Sequence, residues 1–283
     1  MARLALAGGA GHTLLAECPS ALLDFFDTPE ACVLRLVCRE FQAAVAAHPW
    51  EDRETVILGS IGAWRACFPR ARCANVRKRS RDDAWRVAPV VDADFVHFVG
   101  LWELDMTSCM AVTDAAFAHL RGIRVLNMQM CDQPTLTDAA FAHLVGIQKL
   151  SIFGCEQATL TDAAFTHLRG IRVLNMSYCR QFTDAAFAHL QGIHTLFMRH
   201  CNLPAITDAA LSHLRGIHSL GMELCSQATI TEAGLAHLVG IANLGMRDCS
   251  ETAIAAAEDL GLPVARRSYT RYGPFDSSFV ERD

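Results

Sequence analysis

Residues Thr113 to Cys131 read TDAAFAHLRGIRVLNMQMC, and close copies of this line run from Thr137 to Cys155, Thr161 to Cys179, Thr183 to Cys201, Thr207 to Cys225 and Thr231 to Cys249. A weaker copy covers 91–109. The closing cysteines stand at 109, 131, 155, 179, 201, 225 and 249, at intervals of 22, 24, 24, 22, 24 and 24. The histidines at 97, 119, 143, 167, 189, 213 and 237 keep the same intervals. A phase held over seven copies marks an array. No single unit can bury its apolar face, but a stack of units can.

Each copy contains two periods. Ile123, Leu126, Met128 and Cys131 are spaced so that Leu126 and Met128 alternate, as in a strand buried on one side. Thr137 then opens a short helix. Threonine is a good N-cap, and Asp138 suits the positive end of the helix dipole. Leu136 before the cap and Phe141 after it form a hydrophobic staple, and Leu160/Phe165, Phe182/Phe187, Ile206/Leu211 and Ile230/Leu235 repeat it. Gly146 and its equivalents stop the helix where a left-handed residue is needed.

Outside the array, residues 13–52 carry no copy. Leu34, Val37, Cys38, Phe41 and Val45 follow i, i+3, i+4, i+7, i+11, which predicts one continuous apolar helix face. Thr28-Pro29-Glu30 starts it and His48-Pro49-Trp50 ends it. Residues 53–88 read as a basic linker with the cluster Arg77-Lys78-Arg79-Ser80-Arg81, a nuclear signal or polyanion contact in one reading and a solvated insertion in the other. Phe68 to Cys73 reads as a possible degenerate strand. The repeats with a terminal cap, Ala253 to Leu262, fill 89–262. Residues 263–283 form a tail with Arg266, Arg267, Tyr269, Arg271, Tyr272 and Phe275 that reads as an end cap or a disordered peptide.

Of 283 residues, 52% are hydrophobic and 19% charged, with a net charge of −5. Such a chain packs rather than staying disordered, and its mild acidity argues against general nucleic-acid binding. No apolar run reaches the ~18–20 residues of a membrane span. Leu4-Ala5-Leu6-Ala7 dissolves into glycines too early for a secretory signal, so the expected location is cytoplasmic or nuclear.

The repeated cysteines are too far apart in sequence for a zinc motif and fall one to a coil, so they read as a ladder of buried thiols and not as metal ligands. The histidine column lies near the helix ends, about one helix diameter from coil to coil, too far to share an ion. His194 and His218 stand at equivalent strand positions ~4.8 Å apart, a pair without a third ligand. Asn175-Met176-Ser177 matches a glycosylation sequon inside a strand. No phosphate loop, zinc-protease or serine-hydrolase motif occurs. The expectation is a non-enzyme without cofactor or metal.

Helix residues barely vary between copies, whereas the strand positions between the apolar ones vary strongly: a constant scaffold carries a particular surface. One column runs Asp105, Asn127, Ser151, Asn175, Phe197, Gly221, Gly245; the next Thr107, Gln129, Phe153, Ser177, Arg199, Glu223, Arg247; the next Ser108, Met130, Gly154, Tyr178, His200, Leu224, Asp248. The expected target-binding set is Phe153, Tyr178, Phe197, Arg199, His200, Glu223 and Arg247. Phe197 is expected to lie uncovered above Gly221, and Arg199, Glu223 and Arg247 to alternate in sign across strands.

The repeats resemble the leucine-rich repeat of the cysteine-containing type. The resemblance implies an α/β fold, a right-handed solenoid with a curved parallel sheet and short convex helices. Asp27-Thr28-Pro29-Glu30, Leu34 to Phe41 and Pro49-Trp50 resemble the later part of an F-box, in which Leu34, Val37, Cys38, Phe41, Pro49 and Trp50 build a small helical module. Together the two resemblances imply a substrate-recognition subunit whose partners are a Skp-type adaptor, a cullin ubiquitin ligase and a protein target. Two other readings stand beside this one: a free-standing repeat protein that binds or inhibits a partner, and a helical cap on the first coil.

Overall fold

Asp27 starts a helix with a reciprocal cap. Its carboxylate accepts from the Glu30 amide at 2.9 Å, and the Glu30 carboxylate accepts from the Asp27 amide at 3.3 Å. With Pro29 in the first turn, this sets α1 (Thr28–Leu34). The computed structural model describes residues 23–53, 55–57, 59–77, 89–201 and 203–265. The chain divides into two compact units, Met1–Asn75 and Val76–Asp283.

In the first unit α1 is followed by α2 (Arg39–Ala47), α3 (Ile61–Cys67) and the short strand β1 (Cys73–Asn75). Leu23, Ala31, Leu34, Val45, Trp50, Phe68 and Ala71 form its core, with Phe26, Phe41, Ala44, Trp64 and Cys67 packed against them. The Trp50 indole donates to the Val45 carbonyl at 2.8 Å, and its ring meets Phe68 edge-on at 5.5 Å. Asp52 accepts from the amide and hydroxyl of Thr28 and the amide of Thr55. Burial alone would raise its carboxyl pKa, but these hydrogen bonds outweigh it and hold the group below its ordinary 3.8.

Two expectations are corrected here. The continuous helix face does not exist: the chain turns after Leu34, and Cys38 is extended (φ −158°, ψ 171°) before α2 begins. Leu34, Phe41 and Val45 still pack, but Val37 is 64% exposed and Cys38 is exposed. The apolar spacing continued through a break that reset the helical phase. The early strand runs over Cys73–Asn75 and shares only Cys73 with the expected stretch, because Phe68 caps the end of α3. Residues 13–22, the cluster from Lys78 to Arg81 and the tail from Arg266 lie outside the described residues.

In the second unit, each copy contributes one three-residue strand: β2 (Glu103–Asp105), β3 (Val125–Asn127), β4 (Lys149–Ser151), β5 (Val173–Asn175), β6 (Thr195–Phe197), β7 (Ser219–Gly221) and β8 (Asn243–Gly245), followed by β9 (Val264–Ala265). Consecutive strands pair in parallel, so Leu104, Leu126, Leu150, Leu174, Leu196, Leu220 and Leu244 fall in one register row. That row is buried, as is the row two residues on, from Met106 to Met246. The staple residues complete this core from the helix side, and all ten are buried. Phe165 meets Phe182 edge-on at 4.7 Å. Gly122, Gly146 and their equivalents stop the helices in the left-handed region, with φ between 79° and 93°. The terminal helix, Glu251–Asp259, is capped by Ser250 and leads into β9, so the strand ladder extends past the expected cap.

Polar ladders tie coil to coil. Each cap threonine keeps its own helix and also holds the preceding coil: Thr137 donates its amide and hydroxyl to Asp114 at 2.8 and 2.6 Å. The contact recurs at Thr113/Asp92, Thr161/Asp138, Thr183/Asp162, Thr207/Asp184 and Thr231/Asp208. The cysteines form a second ladder. Cys155 donates to the Met128 carbonyl at 3.2 Å, Cys179 to Ile152 at 3.1 Å and Cys201 to Met176 at 3.2 Å. The expected role of small buried thiols that satisfy turn carbonyls is the one observed.

Candidate functional site

The outer face of the sheet is built by residues that alternate with the buried leucines. Beyond each strand the chain bends through a left-handed residue: Ser108, Met130, Gly154, Tyr178, His200, Leu224 and Asp248 have φ between 56° and 65°. Only Gly154 is free of the usual penalty for that conformation. This recurrent turn places the side chains of adjacent coils side by side. Phe153 lies 4.9 Å from Tyr178, and Tyr178 lies 4.9 Å from His200, centroid to centroid, each pair tilted by 54°. Arg180 extends the row, its guanidinium 2.9 Å from His200 Nε2. Arg180 was not among the expected site residues; its position directly after a ladder cysteine was the signal that could have found it.

Beside this row, the Phe197 ring lies over Gly221. A Cβ at Gly221 would stand 3.0 Å from Phe197 Cδ1. The ring is half-buried rather than uncovered. Glu223 shares this glycine with the ring. Its side chain lies over Gly221 and Gly245, with Oε2 3.2 Å from a Cβ at Gly221 and Oε1 2.8 Å from one at Gly245. Glu223 is only 5% exposed. The expected alternating charge row is therefore corrected: among the described residues no ion pair joins Glu223 to Arg199 or Arg247, and Arg247 instead meets Asp248 at 3.1 Å. The glycines give the carboxylate a niche that larger neighbours would deny it.

Arg199 is half-buried, and its Nε is buried without a hydrogen-bond partner among the described residues. Its amide donates to the Ser177 hydroxyl at 3.1 Å. The structure thus brings Phe153, Tyr178 and His200 into direct ring contact, gathers Phe197 and Glu223 on the glycines, and leaves Arg247 exposed. Asn127, Ser151 and Asn175 in the first column are buried by their neighbours. Asn175 accepts from the Ser177 amide at 3.0 Å, which removes it from the surface a glycosylation sequon needs.

His194 and His218 stack at 4.5 Å with 19° between rings, at the other end of the strands. Among the described residues no three His, Cys, Asp or Glu side chains converge to hold a metal ion. Burial pushes the thiols of Cys155 and Cys201 up to about 12 and that of Cys249 to about 11, from an ordinary 9.0. It lifts Cys131, Cys179 and Cys225 well above that value too. These sulfurs are hydrogen-bond donors at neutral pH, not nucleophiles. No described helix is long and apolar enough to cross a membrane.

No family model matches the sequence, and no curated protein matches it. Solved structures do. The chain is similar to a TLR13–ssRNA13 complex (TM-score 0.51, 17% identity, 65% of this chain and 27% of that one). It is similar to the Toll–Spatzle complex of Drosophila (0.52, 13%, 77% and 30%) and to internalin C2 of Listeria monocytogenes (0.50, 16%, 71% and 84%). The chain spans less than a third of the first two. With the parallel register of β2 to β9, these likenesses show the fold: a leucine-rich-repeat solenoid.

Proposed function

We propose that the outer sheet face is a recognition surface for a protein partner, and that the helical unit joins the chain to a Skp-type adaptor of a cullin ubiquitin ligase. The chain would then act by holding its target near a ubiquitin-charged enzyme, raising effective concentration without bond chemistry of its own. The observation that carries the recognition reading is the row Phe153–Tyr178–His200–Arg180 beside the half-buried Phe197. Aromatic and arginine side chains, held rigidly and partly desolvated, are the usual anchors of protein interfaces. Two of the similar structures are complexes, one with ssRNA13 and one with Spatzle, which supports a binding role for such a solenoid.

The adaptor reading rests on the F-box resemblance and on one feature of the first unit. Phe25, Val33, Leu36 and Val37 are exposed apolar side chains, with Leu36 86% exposed. They stand next to the residues that build the core, so an adaptor can be met without unfolding the module. Co-purification with a Skp-type adaptor tests this reading. Retention of the adaptor by the full chain supports it. A chain that captures its target but never the adaptor is instead a free-standing repeat binder.

A further inference from the structure

Apart from buried Cys73 on β1, the described cysteines fall into two groups. The ladder thiols are buried, donate to carbonyls and are held protonated. In the first unit Cys32 and Cys38 are exposed and Cys67 is half-buried. Cys32 sits on α1 one turn before Arg35, so the two side chains share a face. The Arg35 guanidinium contacts the Cys67 sulfur at the end of α3. Cys67 also lies near enough to Cys32 to push its thiol pKa up. Two thiols from different helices thus flank one fixed positive charge.

We propose that Cys32 and Cys67 form an oxidation-sensitive dithiol that closes to a disulfide stapling α1 to α3. The oxidant is a hydroperoxide, with hydrogen peroxide the simplest. The Cys67 thiolate attacks one peroxide oxygen; the O–O bond breaks, hydroxide leaves and takes up a proton, and Cys67 becomes a sulfenic acid. Arg35 places positive charge where negative charge gathers during that attack. The Cys32 sulfur then attacks the Cys67 sulfur, the S–O bond breaks, and the leaving oxygen departs as a second water with the Cys32 proton. Two thiols and one peroxide give one disulfide and two waters. Burial, and then Cys67, push the Cys32 thiol up from its ordinary 9.0, which suits it to the second, resolving step. The bond closes a loop that contains the whole of α2, so it restrains α1, α2 and α3 together.

The test is mass mapping of the full chain. The protein is treated with stoichiometric hydrogen peroxide, alkylated under denaturing conditions and digested. The expected result is one peptide pair linked through Cys32 and Cys67, 2 Da lighter than the two thiol peptides, reverting with dithiothreitol, while Cys38 and the ladder cysteines are alkylated. Cys38→Ser should leave the link unchanged. Cys32→Ser should abolish it and raise dimedone labelling at Cys67. Recovery of Cys32 and Cys67 as alkylated thiols, their separate conversion to sulfinic acids, or bonding of either to a third cysteine would overturn the proposal. The bond is read by mass alone, so the outcome is independent of any adaptor or target.

Discussion

The Thr161 hydroxyl donates to Asp138, one coil earlier in the stack, at 2.6 Å, while the Thr161 amide donates to the other oxygen of the same carboxylate at 2.7 Å. One carboxylate therefore both favours its own helix N-terminus and locks the next coil in register. The arrangement recurs along the array, so the helix side is held by a polar spine as well as by the phenylalanine core.

Asp138→Ala removes both acceptors and leaves two donors of Thr161 without protein partners. It should cost about 1–3 kcal/mol of unfolding free energy, with the loss read from the urea midpoint. A loss equal to that of an exposed alanine substitution elsewhere on the helix side would show that the spine is decorative.

The cysteine ladder makes a prediction about alkaline pH. The unfolded chain releases these protons near 9.0, whereas the folded chain holds those of Cys155 and Cys201 up to about 12. Between those values folding retains protons that unfolding releases. The contribution is full below pH 9 and lost as pH rises toward 12. Urea titrations from pH 8 to 11 should show a fall that is shallower in the double variant Cys155→Ala/Cys201→Ala. Separately, Cys179→Ser should destabilise by about 1–3 kcal/mol, because the shorter hydroxyl must reach the Ile152 carbonyl from the same Cβ.

The niche of Glu223 predicts a variant that changes the surface without changing the fold. Gly245→Ala places a Cβ 2.8 Å from Glu223 Oε1, the movable end of a side chain. The carboxylate should swing into solvent, with stability altered by less than about 1 kcal/mol and target affinity altered measurably. Cooperative unfolding at a much lower urea concentration would mean that the buried carboxylate is structural.

The turn after Leu34 separates two kinds of apolar residue in the first unit. Leu34→Asp should unfold it, because that side chain is in the core. Leu36→Asp should leave its circular dichroism unchanged and abolish adaptor capture. Adaptor capture that survives Leu36→Asp and Val37→Asp together would remove the exposed patch from the account.

The solenoid was legible because identical residues recur in phase, and the same physics acts on each copy. The caps, staples, closing glycines and stacked His194 and His218 follow from local spacing alone. The helix break at Cys38 did not, because an apolar spacing that suits one helix also suits two short ones. The left-handed column was hidden for a related reason: only Gly154 signals it, while Tyr178 and His200 are forced into that conformation by the ladder of the neighbouring coils. Glu223 read as an exposed charge because its burial depends on side chains that its own coil lacks at Gly221 and the next coil lacks at Gly245.

Target binding by the outer face around Phe197 is what the proposed function rests on. Its most direct test is the target affinity of Phe197→Ala and Arg199→Ala, measured in the full chain by titration calorimetry beside thermal melts. Phe197→Ala should lose about 2 kcal/mol or more of binding. Arg199→Ala should give a weaker and less salt-sensitive complex, with both melts near the parent. Unchanged affinity in both variants, together with loss of binding in His167→Ala or His189→Ala on the helix side, would contradict it.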